Sequence, residues 1–235
     1  MFTAVFLVHT TMPGTWPRLG VTIDTLIEEL NLSAIAIRCW DELQKKYGIA
    51  PCIILGELNE RGIAAACELD VTNAVMMRAM YLTANCPVML LDVNNNYNNE
   101  KDKIVLFHCG PAPASLMTGK GKIEEHLMFR KSYGEGSGVG INKGNFIKGE
   151  VTIGSFKTEN GALWAFTSDG ELTNDAIPES FFGCGAVFKK SNAPELLNYM
   201  AKNGYRHHVG VTKGNYSSAI KEAFENYLDY NIDVL

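Results

Sequence analysis

The chain has 235 residues, 46% of them apolar, and carries a formal net charge of −5. That length holds one large domain or two small ones around a sizeable core. Lys and Arg are scattered, so no basic stripe exists to track a phosphate backbone, and nucleic acid is excluded as an expected partner.

The amino-terminal MFTAVFLVHTTMPG has an apolar run, no basic flank, and too few residues to cross a bilayer. Phe2 to Val8 therefore reads as a strand or as packing against a neighbour. The six cysteines, Cys39, Cys52, Cys67, Cys86, Cys109 and Cys184, form no C-x-x-C pair. Free thiols in a cytoplasmic protein without a membrane span are the expectation.

After a turn around Pro13 to Pro17, VTIDTLIEELN reads as an amphipathic helix and SAIAIRCW as a buried strand from Ala34 to Cys39. WDELQKKYG is a helix ended by Gly48, and PCIILGELNERG a second one ended by Gly62. A short strand, IAAACE, then stops at Glu68. The segment DVTNAVMMRAMYLTAN follows, with Val75, Met76, Ala79, Met80 and Leu82 spaced for one buried helix face. Asp70 or Thr72 caps its start, and Asn85 with Pro87 ends it. A second apolar run, PVMLLD, stops at Asp92. Alternation of helix and strand over the first hundred residues predicts a parallel α/β layer. NNNYNNEKDK is either a domain boundary or a surface loop. A third apolar run, KIVLFHCG, carries His108 to a strand end.

Beyond Ile104, glycines become frequent and short apolar runs alternate with turns. Glu150 to Phe156 and Ala162 to Thr167 read as a hairpin across TENG, and this half of the chain as a small antiparallel barrel or sandwich. APELLNYMAKNG is a helix with Pro194 in its first turn and Gly204 past its end. HHVGVTKG is extended, YSSAIKEAFENYLDY is an amphipathic helix, and NIDVL is a last short strand.

The chemistry concentrates between Gly62 and Gly110. In parallel α/β sheets ligands collect at the carboxyl ends of the strands. If the strands ending at Glu68 and Asp92 are neighbours, about 4.8 Å apart, their carboxylates repel unless a proton or cation lies between them. With His108 ending a third strand, the set reads as a divalent metal site; its bland counterpart is two helix caps and a core histidine. GEGSGVG, from Gly134 to Gly140, lacks the strand and helix of a dinucleotide fingerprint and reads as a mobile loop over a ligand. His207 and His208 sit on an extended segment whose alternation turns them to opposite faces. No Gly-x-Ser-x-Gly elbow is present, Cys109 points away from His108, and His9 and His126 have no acidic partner in a recognisable spacing.

Several of these stretches resemble one family: RCW at Arg38 to Trp40, GIAAACELDVTNAV at Gly62 to Val75, LLDVNN at Leu90 to Asn95, HCGPAP at His108 to Pro113, and the late His207–His208 pair. Together they are similar to the L-fucose and L-arabinose isomerases, across nearly the whole chain. The resemblance implies part of a parallel three-layer α/β domain (1–103) followed by a Greek-key β-barrel domain with terminal helices (104–235). It also implies aldose–ketose isomerisation with Mn²⁺ or another divalent cation. On the matching positions, Glu68 and Asp92 are the metal-binding carboxylates and the proton-transferring pair, and His208 is the carboxy-terminal imidazole ligand. His108 is a further ligand or contacts substrate, and Asn94, Asn95 and Asn96 are positioned to meet sugar hydroxyls or to form a turn. The family places an α/β domain and the start of a second ahead of residue 1, so the chain is expected to be a carboxy-terminal piece or a natural short relative. The partners implied are a monosaccharide and other copies of the chain in a homo-oligomer. The alternative functions are a non-catalytic carbohydrate-binding or regulatory remnant, and a metal-dependent aldolase or epimerase.

Overall fold

A computed structural model describes residues 14–235; Phe2 to Val8 and His9 lie outside them. Helix α1 (Thr15–Glu29) opens the described chain. It starts earlier than its apolar pattern suggests, because Pro17 falls in the first turn, where no amide hydrogen is required. Strand β1 (Ala34–Ala36) is followed by α2 (Glu42–Tyr47), α3 (Cys52–Glu60) and β2 (Ala64–Ala66). Helix α4 (Val71–Ala84) leads into β3 (Val88–Tyr97) and β4 (Glu100–His108). Strand β5 (Lys122–Glu125), α5 (Leu127–Tyr133) and β6 (Val139–Asn145) precede the long hairpin of β7 (Gly149–Glu159) and β8 (Ala162–Leu172). Strand β9 (Cys184–Lys189), α6 (Ala193–Lys202), β10 (His208–Lys213), α7 (Ser217–Glu222) and β11 (Asn231–Val234) complete it.

Six strands close into an antiparallel barrel in the order β3-β4-β9-β8-β7-β10, the last pairing back to the first. Closure removes the free edges that an open sheet of these strands would expose. Strand β11 adds to β8 in parallel, and β6 to β9. The β7–β8 turn is the two-residue Asn160–Gly161, both with positive φ (51° and 78°), as a tight hairpin requires.

The parallel layer is smaller than expected: among the described residues it is β1 paired with β2. The strand ending at Asp92 is not a neighbour of β2 but a barrel strand, antiparallel to β10 and β4. Its apolar run misleads because both faces are covered. Met89 and Leu91 fill the barrel interior, while Val88 and Leu90 pack outward with the methionines of α4; a helix-covered barrel strand and a parallel strand have the same pattern. The Asn-rich segment turns tightly through Asn98 and Asn99 (φ 47° and 61°) and joins β3 to β4, so the barrel already begins at Val88.

Helix α4 lies on the barrel across a saddle of small residues. Gly154 and Gly210 are register partners on β7 and β10. A Cβ on Gly210 would meet Met80 Sδ at 3.0 Å and Met77 Cγ at 3.3 Å. Met76, Met77 and Met80 are fully buried there, whereas Val75 and Leu82, expected on the same face, are exposed. Among the described residues, no helix is long and apolar enough to cross a membrane.

Candidate metal centre

Alternation along β3 and β10 fixes the orientation of two side chains. Val209 and Val211 point into the barrel, and Gly210 faces α4. His208 shares the parity of Gly210, and Asp92 shares that of Val88 and Leu90, so both emerge on the α4 side. They are direct register partners, and His208 Nε2 lies 3.2 Å from Asp92 Oδ1.

The segment from β2 brings the second carboxylate. Glu68 and Leu69 both hold left-handed backbone conformations (φ 57° and 58°), a rare state for side-chain-bearing residues and one that clusters at functional sites. The bend delivers Glu68 Oε2 to 3.7 Å from His208 Nε2. Glu68 also opens onto a cleft of about 430 Å³ lined by Arg38, Cys39, Trp40, Asp41 and Leu69. The two acids reach one imidazole from different layers, not from adjacent strands of one sheet as their spacing suggested.

Asp70 joins the layers. As the N-cap of α4 it accepts the Asn73 amide hydrogen at 3.1 Å, and its other oxygen accepts from Asn73 Nδ2 at 2.7 Å and from His208 Nδ1 at 2.9 Å. Asn73 in turn accepts from the Phe156 amide at 3.0 Å and from the Ser155 hydroxyl at 3.1 Å, tying the helix start to β7. The sequence reading offered Asp70 only as a cap; the available signal was a second acid two residues after Glu68.

Charge follows this geometry. Burial lowers the affinity of His208 for a proton, but Asp70, Asp92 and Glu68 outweigh it and push its pKa up to about 9. Burial raises Asp92, yet the surrounding imidazoles hold it below the usual carboxylate range. Asp70 is likewise raised by burial and carried far lower by His208, Asn73 and Arg206. Burial pulls His108 down to about 4, so it is neutral. Its Nδ1 accepts the Cys109 amide hydrogen at 2.9 Å, which assigns the proton to Nε2, 3.8 Å from Asp92 Oδ1.

His207 departs from its expected placement. It lies in a bend ahead of β10, not within the strand, so alternation does not separate it from His208. Its Nε2 lies 3.5 Å from Asp92 Oδ1. The ligating atoms form two overlapping triads that share His208: Glu68 with His108, and Asp92 with His207. Asn94 is half-buried and its Nδ2 has no hydrogen-bond partner; the side chains of Asn95 and Asn96 lie outside those described. The glycine-rich loop is tied down, with the amides of Gly136 and Ser137 donating to Glu125 at 2.5 and 3.0 Å.

The fit to a cation rests on atoms that lack partners. Asp92 Oδ1 and His208 Nε2 are buried with an ion-pair contact of 3.2 Å between them but no well-formed hydrogen bond, and the buried His108 Nε2–H has no acceptor, a costly state unless a further group satisfies them. Carboxylate and imidazole donors suit Mn²⁺-like divalent ions better than thiophilic ones.

A closed barrel with carboxylates and imidazoles gathered on its rim under a helix N-terminus defines a candidate metal-centred protein. Residues 106–235, more than half of the chain, match the family described as L-fucose isomerase, C-terminal domain, and the chain belongs to that family. It is similar to proteins named sulfoquinovose isomerase from Alkalicoccus urumqiensis and Priestia aryabhattai, each 24% identical over 197 residues, covering 83% of this chain and 43% of the relative. One from Clostridium sp. (strain MSTE9) is 25% identical over 208 residues, covering 84% and 43%. The chain thus spans less than half the length of these curated relatives.

Proposed function

We propose that the chain carries the metal-binding and proton-transferring part of an aldose–ketose isomerase acting on a monosaccharide. The observation that carries this reading is the convergence of Asp92 Oδ1 and His208 Nε2, buried without a hydrogen bond, with Glu68 and the buried His108 N–H, next to an open cleft of sugar size.

Glu68, Asp92 and His208 would hold a divalent ion, Mn²⁺ by resemblance, which when bound supplies positive charge to polarise the sugar O1 and O2. Isomerisation moves one proton from C2 to C1 while the O2 hydroxyl proton passes to O1, through an enediol. A carboxylate on one side removes the C2 proton and a carboxyl on the other delivers one to C1. Glu68 faces the cleft and Asp92 meets the same His208 Nε2 from the barrel side, which makes these two the candidate carboxyl groups. His108, protonated on Nε2, serves as hydrogen-bond donor to a sugar oxygen in preference to ligating, and Asn94 Nδ2 offers a second donor. Asp70 keeps the His208 Nε2 lone pair aimed at the ion once the proton there has left.

Membership of the family supports the reaction class. The relatives' name makes sulfoquinovose the first substrate to assay, with pentoses and 6-deoxyhexoses beside it. The reading includes self-association, since Val71, Val75 and Leu82 leave an apolar stripe exposed on α4; a monomer by light scattering removes that element.

The test is ketose formation with and without Mn²⁺. Glu68→Gln and Asp92→Asn, with circular dichroism unchanged, should each lower turnover by about 10²–10⁴-fold. Sugar binding without turnover in the unmutated chain would make it a carbohydrate-binding module instead.

A further inference from the structure

Behind the carboxylate–imidazole centre lies a second cluster of donors with the opposite chemistry. Four of the six cysteines meet there, all free and buried. Cys39 follows β1, Cys52 opens α3, Cys67 follows β2 and Cys109 follows β4, so four separate stretches of chain converge on one point. Cys39 Sγ and Cys67 Sγ are 3.0 Å apart, and Cys52 Sγ and Cys109 Sγ are 3.2 Å apart. Cys67 Sγ and Cys109 Sγ lie within 4.8 Å of each other, which joins the two pairs.

We propose that Cys39, Cys52, Cys67 and Cys109 form a binding site for a thiophilic metal ion such as Zn²⁺ or Cd²⁺. Thiolates select such ions over Mn²⁺. A tetrahedral Zn–S₄ site with bonds of about 2.3 Å sets its sulfurs about 3.8 Å apart, so the two close pairs open by about 0.6–0.8 Å as they draw together around the ion. Four thiols in contact inside an apolar core gain little from one another, since S–H is a weak donor and sulfur a weak acceptor. An ion displaces their protons and replaces those contacts with four strong bonds. His108 stays outside the set because its Nδ1 already accepts the Cys109 amide hydrogen. Cys39 lines the same cleft as Glu68 and marks the entry path.

The position gives the ion a structural consequence. Cys67 directly precedes Glu68, and Cys109 directly follows His108. An ion on the four sulfurs would clamp β2, α3 and the end of β4 together and fix the backbone that carries both residues. This inference stands apart from the isomerase reading, since a sulfur-bound ion is detected without turnover.

The experiment is anaerobic titration of the reduced chain with Cd²⁺, followed by sulfur-to-cadmium charge-transfer absorption. The expected result is a charge-transfer band that saturates at one sulfur-bound Cd²⁺ per chain with the carboxylate–imidazole centre kept filled by excess Mn²⁺, and that Mn²⁺ alone does not produce. Cys67→Ser and Cys109→Ser should each weaken binding at least tenfold, and Cys86→Ser and Cys184→Ser should leave it unchanged. X-ray absorption at the cadmium edge of the unmutated chain counts sulfur neighbours whether or not the variants fold. Four sulfurs are expected; a shell of oxygen and nitrogen, one sulfur only, or a sulfur shell that survives Cys67→Ser and Cys109→Ser overturns the site.

Discussion

Asp70 accepts a hydrogen bond from His208 Nδ1 at 2.9 Å, across the seam where the N-terminus of α4 meets β10. Both residues are buried, with side chains 2% and 5% exposed. One carboxylate thus starts a helix and orients an imidazole. The same contact turns His208 Nε2 toward Asp92 and Glu68.

Asp70→Asn should separate the two roles. Asparagine caps helices as well as aspartate, so α4 should form, but the charge that anchors His208 is gone. Mn²⁺ affinity should fall about 10–100-fold, read by the electron paramagnetic signal of free Mn²⁺. In the metal-free protein the stability loss should depend on pH. His208 is raised, so its contribution is fully present below its unfolded pKa of about 6.5 and fades as pH rises through about 9. Asp70 is lowered, so its contribution is present above about 4 and fades in acid. The gap between wild type and Asp70→Asn in urea unfolding should therefore be widest from about pH 4 to 6.5 and narrower at 9. A gap independent of pH would mean that the pair contributes packing alone.

Ion uptake should release a proton. Below about pH 9 His208 holds a proton on the nitrogen pair that Asp70 and the other acids share, and a ligating imidazole must give it up. Calorimetry of Mn²⁺ binding at pH 7 in buffers of different ionisation enthalpy should show about one proton leaving per ion. Affinity should rise with pH toward 9 and then level. Zero proton release would take His208 out of the ligand set.

Glu68, Asp92 and His208 of the candidate centre were legible in the sequence, but their geometry and the parts played by Asp70 and His207 were not. Glu68, Asp92 and His208 stand out because each ends or begins a buried run, and a charged group there is aimed outward. Their grouping was inferred from a parallel sheet that does not extend to β3. What gathers them is the barrel register of His208 on Asp92 and the cap at Asp70, contacts between residues 116 and 138 positions apart that no local pattern encodes. Periodicity also misassigned Val75 and Leu82, because α4 buries its methionines against a glycine saddle whose partners lie on β7 and β10. The alternation rule failed for His207 because the strand begins one residue later.

That saddle makes a packing prediction. Gly210 lets Met77 and Met80 approach the barrel, and the closest contacts its Cβ would make, 3.0 Å to Met80 Sδ and 3.3 Å to Met77 Cγ, are with unbranched side chains that can shift by a few tenths of an ångström. Gly210→Ala should be mild. Gly210→Val adds bulk that cannot be absorbed the same way and should cost about 1–3 kcal/mol. Since α4 carries Asp70, the valine variant should also weaken Mn²⁺ binding, whereas a loss of stability with unchanged affinity would show that the helix start is held independently by Asn73.

The cleft beside Glu68 makes a prediction about substrate charge. Arg38 is the one cation among its lining residues. The cleft's second acid, Asp41, is already engaged by Lys45 and by the Tyr133 hydroxyl at 2.8 Å, which hold it down to about 2. Arg38 is therefore left to face whatever enters beside Glu68. A planar guanidinium suits an anionic substituent that accepts two hydrogen bonds. Arg38→Ala should raise KM for an anionic sugar about tenfold or more, the scale of a lost charge-assisted hydrogen bond, and leave KM for a neutral aldose within about twofold. Arg38→Lys should recover part of the loss, because it restores the charge without the fork. Equal effects on both sugars would assign Arg38 to the shape of the cleft, not to recognition of charge.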